Sequence, residues 1–333
     1  MLQRWNKALQ NIAILIVAFL VMLFGFEILL RLGLFHDVED PKPVWIPRKY
    51  KLIEQKINAQ NLLIAQKHPY SFNDSVRAIQ KKKGSRRIAV LGDSFIWGDA
   101  VAYERIWSHK LERILQKKIP SVELMSWGGN GWSTQRQLRF LKEEGYKFHP
   151  DMLLIGFVAN DPDVGLVPRF SFTWQKMIWL KPAEWFVPNA LDFLSSGINN
   201  LLMKYGYKGY GYVVWEHRLY EEKNLRAYRE VLVELRDFCK EQEIELRFIM
   251  TPSNNAPYYK EVFGKVTPLL KELEIPYLNL VSKVESEFKG RTSRSLWATP
   301  ANAHPGDELT TVFAEGAFSY LEDYLNKELQ DSF

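Results

Sequence analysis

The sequence predicts an α/β protein: a three-layer α/β/α sandwich built on a five-stranded parallel sheet, with one transmembrane helix at the N-terminus. Three observations predict it. Five short apolar runs (88–91, 122–125, 152–158, 244–250 and 277–280) each have the length of a strand. Stretches with apolar residues three and four apart alternate with them, the period of helices packed on a core. A single longer apolar run lies near the N-terminus. Strands that read as near-continuous apolar runs are buried on both faces, the condition of a parallel sheet covered by helices.

The bulk numbers bound the function classes. A chain of 333 residues, 47% apolar, is long enough to bury a full core. Its 44 basic and 39 acidic residues leave a net charge of only +5. A nucleic-acid binder concentrates such charge on one face, whereas the dense runs here, Lys81-Lys82-Lys83 and Arg86-Arg87, read as a solvated approach to the first strand. No nucleic-acid partner is therefore expected. The lone Cys239 excludes an internal disulfide and a Cys-based zinc site, and it falls on an apolar helical stripe, as a core residue does.

The N-terminal run has no charge from Ile12 to Phe26 and resumes from Ile28 to Leu30. That length approaches the roughly 20 residues a helix needs to cross a bilayer. A cleaved signal peptide is the competing reading, because Arg4 and Lys7 precede the run. No small-x-small cleavage site follows, however, and Glu27 and Arg31 stand one helical turn apart, able to pair near the far interface. The expectation is an uncleaved membrane anchor over residues 1–36. The positive-inside rule then puts the N-terminus in the cytoplasm and the remaining chain in the periplasm or extracellular space. Residues 37–84 read as a connector with Pro41, Pro43 and Pro47 and a helical stretch through Leu52, Ile57, Leu62 and Leu63. The folded domain is expected over 85–330.

Within that domain Ile88–Leu91 is the first strand, bounded by Arg87 and Gly92. A helix carrying Ile106, Leu111, Ile114 and Leu115 follows and is stopped by Pro120. Val122–Met125 is the second strand, and Leu138–Leu141 belongs to the next helix. Met152–Val158 is the strongest strand, apolar throughout apart from Gly156. Leu225, Tyr228, Leu232, Leu235 and Cys239 make one helical stripe before the strand 244–250. A helix ending near Glu274, the strand Tyr277–Leu280 and a closing helix with Leu309, Phe313, Ala317, Leu321 and Leu325 complete the chain.

One segment breaks this rhythm. An insertion at about 165–222 carries four Trp, four Phe and five Tyr between Phe170 and Tyr220. Three readings stay open: a cap over the strand ends, a subdomain with its own small core, or a surface resting on the bilayer through Trp174, Trp179 and Trp185. The helical spacing of Leu191, Leu194, Ile198 and Leu202 supports the second for part of the segment.

In doubly wound sheets ligands bind outside the carboxyl ends of the strands, so the residues just past each strand carry the chemistry. After the first strand comes Gly92-Asp93-Ser94, which puts a serine hydroxyl at that edge; alone, such a tripeptide makes a turn as readily as a nucleophile. After the second comes Gly128-Gly129-Asn130-Gly131, where backbone N–H groups can face a ligand, or simply flex. After the third comes Asn160-Asp161-Pro162, where an Asn amide can donate to a developing oxyanion. His304-Pro305-Gly306 directly precedes the last helix, a setting that His36, His68, His109, His149 and His217 lack.

Taken jointly, these stretches resemble the four blocks of the SGNH/GDSL hydrolase superfamily, which carry Ser, Gly, Asn and His in this order. Val90-Leu-Gly-Asp-Ser-Phe-Ile-Trp-Gly98 looks like the first, Gly131-Trp-Ser-Thr134 the second, Gly156-Phe-Val-Ala-Asn-Asp161 the third and Ala303-His-Pro305 the last. The resemblance covers about residues 68 to 325 without the aromatic insertion, and is greatest to bacterial members with an N-terminal membrane helix. It implies a flavodoxin-like fold and a serine ester hydrolase acting on O-acyl esters. The expected location and the aromatic-rich insertion, whose rings pack well on sugars, point to O-acetyl groups of an envelope polysaccharide, with a lipid ester as the other substrate class. Under the resemblance Ser94 is the nucleophile and His304 the general base. The N–H groups of Ser94 and Gly131 and the Asn160 side chain form the oxyanion hole. No metal and no organic cofactor is implied. The departure is at the acid: relatives place an Asp two or three residues before the histidine, where this chain has Asn302 and Ala301. Asn302 is then the residue left to orient the imidazole, while Asp307 suits a helix N-cap better. Transfer of the acyl group to a sugar hydroxyl, or a lapsed domain binding glycan, lipid or a partner protein, are the alternatives.

Overall fold

A computed structural model describes residues 2–31, 72–75, 77–168, 182, 186–204, 212–300 and 302–331. The expected connector helix at Leu52–Leu63, together with His36, His68, Trp174, Trp179 and Trp185, lies outside the described residues. By its internal contacts the chain divides into two units, residues 1–52 with 169–212 and residues 53–168 with 213–333.

The larger unit is the α/β sandwich. Strands β1 (Arg86–Gly92), β2 (Val122–Gly128), β3 (Met152–Phe157), β4 (Glu245–Met250) and β5 (Tyr277–Asn279) form one sheet in the order β2-β1-β3-β4-β5. Every neighbouring pair is parallel. This is the doubly wound order whose strand sequence reverses beside β1. Side chains alternate across it. Ala89 and Leu91 of β1 enter a core with Leu153, Ile155 and Phe248, whereas Ile88 and Val90 enter a second core with Leu154 and Ile249. The first core is covered by α4 (Thr134–Glu143), α7 (Glu222–Glu241) and α8 (Pro257–Glu272), the second by α3 (Trp107–Lys118) and α10 (Asp307–Asp331). Short helices α2 (Ser94–Trp97), α6 (Tyr212–Arg218) and α9 (Val281–Glu287) complete the α-helices of this unit among the described residues. Each fully buried Leu, Ile or Phe in these layers contributes about 1.5–3 kcal/mol by leaving water.

Two features differ from the sequence reading. Arg87 is not a solvated charge: only 1% of it is exposed, and its guanidinium donates to the carbonyls of Ala78, Ile79, Gln80 and Phe148 and to the Glu123 carboxylate. Carbonyls that are far apart in sequence converge on it, which no run of basic residues reveals. The end of the expected connector is also part of the sandwich. Phe72 packs edge-on against Phe140 and Trp132, Asn73 donates to the Trp97 carbonyl at 2.6 Å, and Asp74 accepts from the Ser126 amide at 3.0 Å.

In the smaller unit, α1 (Leu2–Arg31) pairs with α5 (Pro188–Lys204). Residues 10–29 of α1 are long and apolar enough to cross a membrane. Leu23 and Phe26 of α1 pack on Val187, Ala190 and Leu191, and the Phe26 and Phe193 rings meet edge to face at 5.1 Å. Glu27, which interrupts the apolar run, is 1% exposed and accepts the Ala190 amide at 2.8 Å. It thus satisfies one of the donors that a helix start leaves open.

Candidate active site

The three adjacent strands β2, β1 and β3 end level with one another. Gly92 is in register with Gly128 on one side and Gly156 on the other. Ser94, Gly131 and Asn160 follow these residues by two, three and four positions, so the sheet delivers all three to one edge. The loops are tied together there: the Gly129 amide donates to the Gly92 carbonyl at 3.3 Å, and the Thr134 amide to the Asp161 carbonyl at 3.2 Å.

Ser94 is the first residue of α2, whose start is capped by Asp93 accepting the Phe95 amide at 2.9 Å. Its Oγ lies 2.8 Å from Nε2 of His304 and 3.0 Å from Oδ2 of Asp93. Burial pushes the Asp93 carboxyl above its ordinary range, while the Phe95 amide and nearby His304 pull it back.

His304 sits on a small antiparallel hairpin of β6 (Trp297–Thr299) and β7 (Asn302–Pro305), which sequence reading does not anticipate. Gly306 closes it. A Cβ there would stand 2.8 Å from the Trp297 carbonyl oxygen, so only glycine lets β7 turn this tightly into α10. The Asn302 side-chain oxygen accepts both the His304 backbone N–H at 3.0 Å and the ring Nδ1–H at 2.5 Å. Two donors converging on one atom identify that atom as the amide oxygen, since nitrogen could not accept them. The proton is thereby held on Nδ1, and Nε2 is left as the acceptor facing Ser94.

Asp99 is a residue that sequence reasoning missed. Its Oδ2 lies 3.6 Å from Nδ1 of His304. Asp99, Ser94, Phe95 and His304 line one narrow cleft with about 10 Å³ of free space, room for about one water. The backbone around it is specialised: the Asp99 amide donates to the Ser94 carbonyl, and Ala100, a non-glycine residue, is held at φ +58°. Such backbone strain clusters at functional sites. The only signal available in sequence was an acid five residues past Ser94, which no spacing rule singles out.

The remaining expected site residues are placed less directly. Gly131 has φ +68°, a left-handed turn that favours glycine, and lies on a polar groove of about 560 Å³ with Trp132, Arg136, Arg139 and Asp163. Asn160 is 9% exposed, and its side-chain amide bonds to no described residue. The sheet register brings both to the edge that carries Ser94. Beneath them Asp161 is fully buried, accepting from Thr134 Oγ1, Gln137 Nε2 and the Val158 amide. Burial, then the neighbouring Asp93, drives its carboxyl well above the ordinary range. Asp307 is the first residue of α10 and takes Lys110 at 2.7 Å; it stands one position past the expected cap. Among the described residues no cluster of three His, Cys, Asp or Glu side chains is arranged to hold a metal ion.

The fold and site define a doubly wound α/β sandwich with a serine and a histidine in hydrogen-bond contact at the carboxyl edge of the sheet. No family model matches the chain, and no curated protein does. Solved structures similar to it include the psychrotrophic esterase EstA from Pseudoalteromonas sp., with 14% identity and a TM-score of 0.45 over 73% of this chain and 100% of that one. A catalytic mutant of an acetylxylan esterase from Geobacillus stearothermophilus has 14% identity and a TM-score of 0.45, over 73% and 95% of the two chains. The lipase/acylhydrolase from Enterococcus faecalis has 14% identity and a TM-score of 0.43, over 72% and 96%. These three neighbours are described as an esterase, an acetylxylan esterase and a lipase/acylhydrolase.

Proposed function

We propose that this chain is a membrane-anchored serine ester hydrolase of the SGNH/GDSL type. The observation that carries the reading is the 2.8 Å contact of Ser94 Oγ with His304 Nε2, in the tautomer that Asn302 selects. Ser94 attacks the ester carbonyl as its proton passes to Nε2. The positive imidazolium is stabilised by the Asn302 oxygen and by Asp99, which supplies the carboxylate absent from position 302. The Ser94 and Gly131 amides and the Asn160 amide hold the oxyanion. His304 then returns its proton to the leaving alcohol, and water enters by the reverse steps to release the acid.

The narrow cleft beside Ser94 supports a short acyl group such as acetyl. The polar groove beginning at Gly131, with Arg136 5.4 Å over the Trp132 ring, supports a carbohydrate on the alcohol side. An envelope polysaccharide outside the cytoplasmic membrane, with α1 as the anchor, fits both. Labelling of the full chain in detergent with a fluorophosphonate probe tests the reading. Labelling that disappears in Ser94→Ala supports it; a folded wild-type chain that never labels favours a lapsed, ligand-binding domain.

A further inference from the structure

Outside α1, seven large apolar side chains are exposed among the described residues, and five of them (Phe186, Phe193, Leu194, Ile198 and Leu201) fall within sixteen positions. Leu194, Ile198 and Leu201 recur at steps of four and three, making one stripe along α5. In the sequence, Asp192, Ser196 and Asn199 recur at the same steps out of phase with that stripe. Helix α5 is therefore amphipathic, and beyond the contacts of Leu191 and Phe193 with α1 its apolar face is uncovered. It is not a second crossing: 17 residues reach about 25 Å, short of the roughly 30 Å hydrocarbon layer, and Asp192 lies inside it.

The position of α5 identifies what covers that face. Its first turn is fastened to the last third of the apolar helix α1 by the Glu27 carboxylate and by Leu23 and Phe26. Large apolar side chains of α1 are themselves exposed from Ile12 to Leu29, so the helix to which α5 is fastened already presents a surface that asks for lipid. The buried Glu27 fits this arrangement, because a carboxylate at the edge of a bilayer needs a donor from protein.

We propose that α5 is an interfacial membrane helix, seating Leu194, Ile198 and Leu201 at the headgroup–acyl boundary, so that α5 returns the chain to the bilayer that α1 crosses. The inference rests on α1 crossing the membrane and is independent of the hydrolase reading. The experiment uses the full chain with Cys239→Ser, carrying one new cysteine in place of Leu20, Leu194, Ile198, Leu201 or the exposed Glu241. Each is labelled with an environment-sensitive fluorophore in phosphatidylethanolamine–phosphatidylglycerol vesicles containing nitroxide lipids. The expected result is loss of fluorescence to deep nitroxides at 20, loss to shallow nitroxides at 194, 198 and 201, and no loss at 241. Labels at 194, 198 and 201 that behave like 241 while 20 is quenched overturn the proposal. Labels at those positions that quench one another and escape the nitroxides also overturn it, by showing a second copy on the stripe. If position 20 is unquenched, the anchor reading falls and the proposal falls with it.

Discussion

The Asp99 carboxylate lies 3.6 Å from Nδ1 of His304, the same nitrogen whose proton is held by the Asn302 oxygen at 2.5 Å. The imidazole is thus oriented by a neutral partner in contact and faced by a charged one slightly further away. A triad acid performs both tasks with one group.

Under the proposed hydrolase reading, this division predicts a mutant pattern. Asp99→Asn lowers kcat for ester hydrolysis about tenfold, corresponding to roughly 1.4 kcal/mol of imidazolium stabilisation. Asn302→Leu, which frees the ring to adopt the wrong tautomer, lowers it by as much as about 10⁴. Asn302→Asp raises kcat and shrinks the effect of Asp99→Asn made in the same chain, a coupling read from the double-mutant cycle. An unchanged rate in Asp99→Asn removes that residue from the mechanism.

In the proposed mechanism Asn160→Ala removes an oxyanion donor and lowers kcat by about 10²–10³ with little change in KM, because the interaction strengthens only as charge develops. Steady-state kinetics on a short-chain aryl ester measure it. A rate within twofold of wild type means that the Asn160 amide does not reach the oxyanion.

Arg87→Met leaves four backbone carbonyls and Glu123 without their shared donor. The expected cost is about 3–5 kcal/mol, read as an earlier midpoint in urea, with ester hydrolysis per folded molecule unchanged. A surface arginine, as the sequence alone implies, loses almost nothing on the same substitution.

The Cys239 thiol is 1% exposed, and burial pushes it up to about 12. The native protein therefore fails to react with a thiol-specific chromogenic disulfide at pH 8. One thiol per chain becomes reactive on denaturation. Rapid reaction of the native state contradicts the burial of α7 against the sheet.

The sheet was legible because each of its five strands is an apolar run, and runs of that kind have one explanation in an α/β chain. The predicted limits fall within three residues of β1 to β5. Ser94 and His304 were legible from the four blocks, and the structure places them in contact. The hairpin carrying His304 was not, because β6 and β7 have three and four residues and are mostly half-exposed, so no apolar pattern marks them. Asp99 was invisible for a different reason: its relation to His304 spans most of the domain and leaves no periodicity. Arg87 was misjudged, as a charge assigned to solvent by local pattern. It is buried by partners that only the folded chain brings near, among them the Phe148 carbonyl, and the Ala190 amide that Glu27 accepts was likewise invisible in sequence.

The bond between Glu27 and the Ala190 amide bears on what becomes of the first 31 residues. A leader peptide discarded on export leaves nothing behind that was shaped to fit it. Here the leader-like stretch is one half of a packing interface, and severing the chain after Arg31 strips the cover from Val187, Ala190 and Leu191 and leaves the Ala190 amide without its acceptor. A truncation intended to make the protein soluble thus removes one greasy surface and uncovers another far along the chain. Such a shortened version is expected to aggregate through α5 unless that helix is removed with α1.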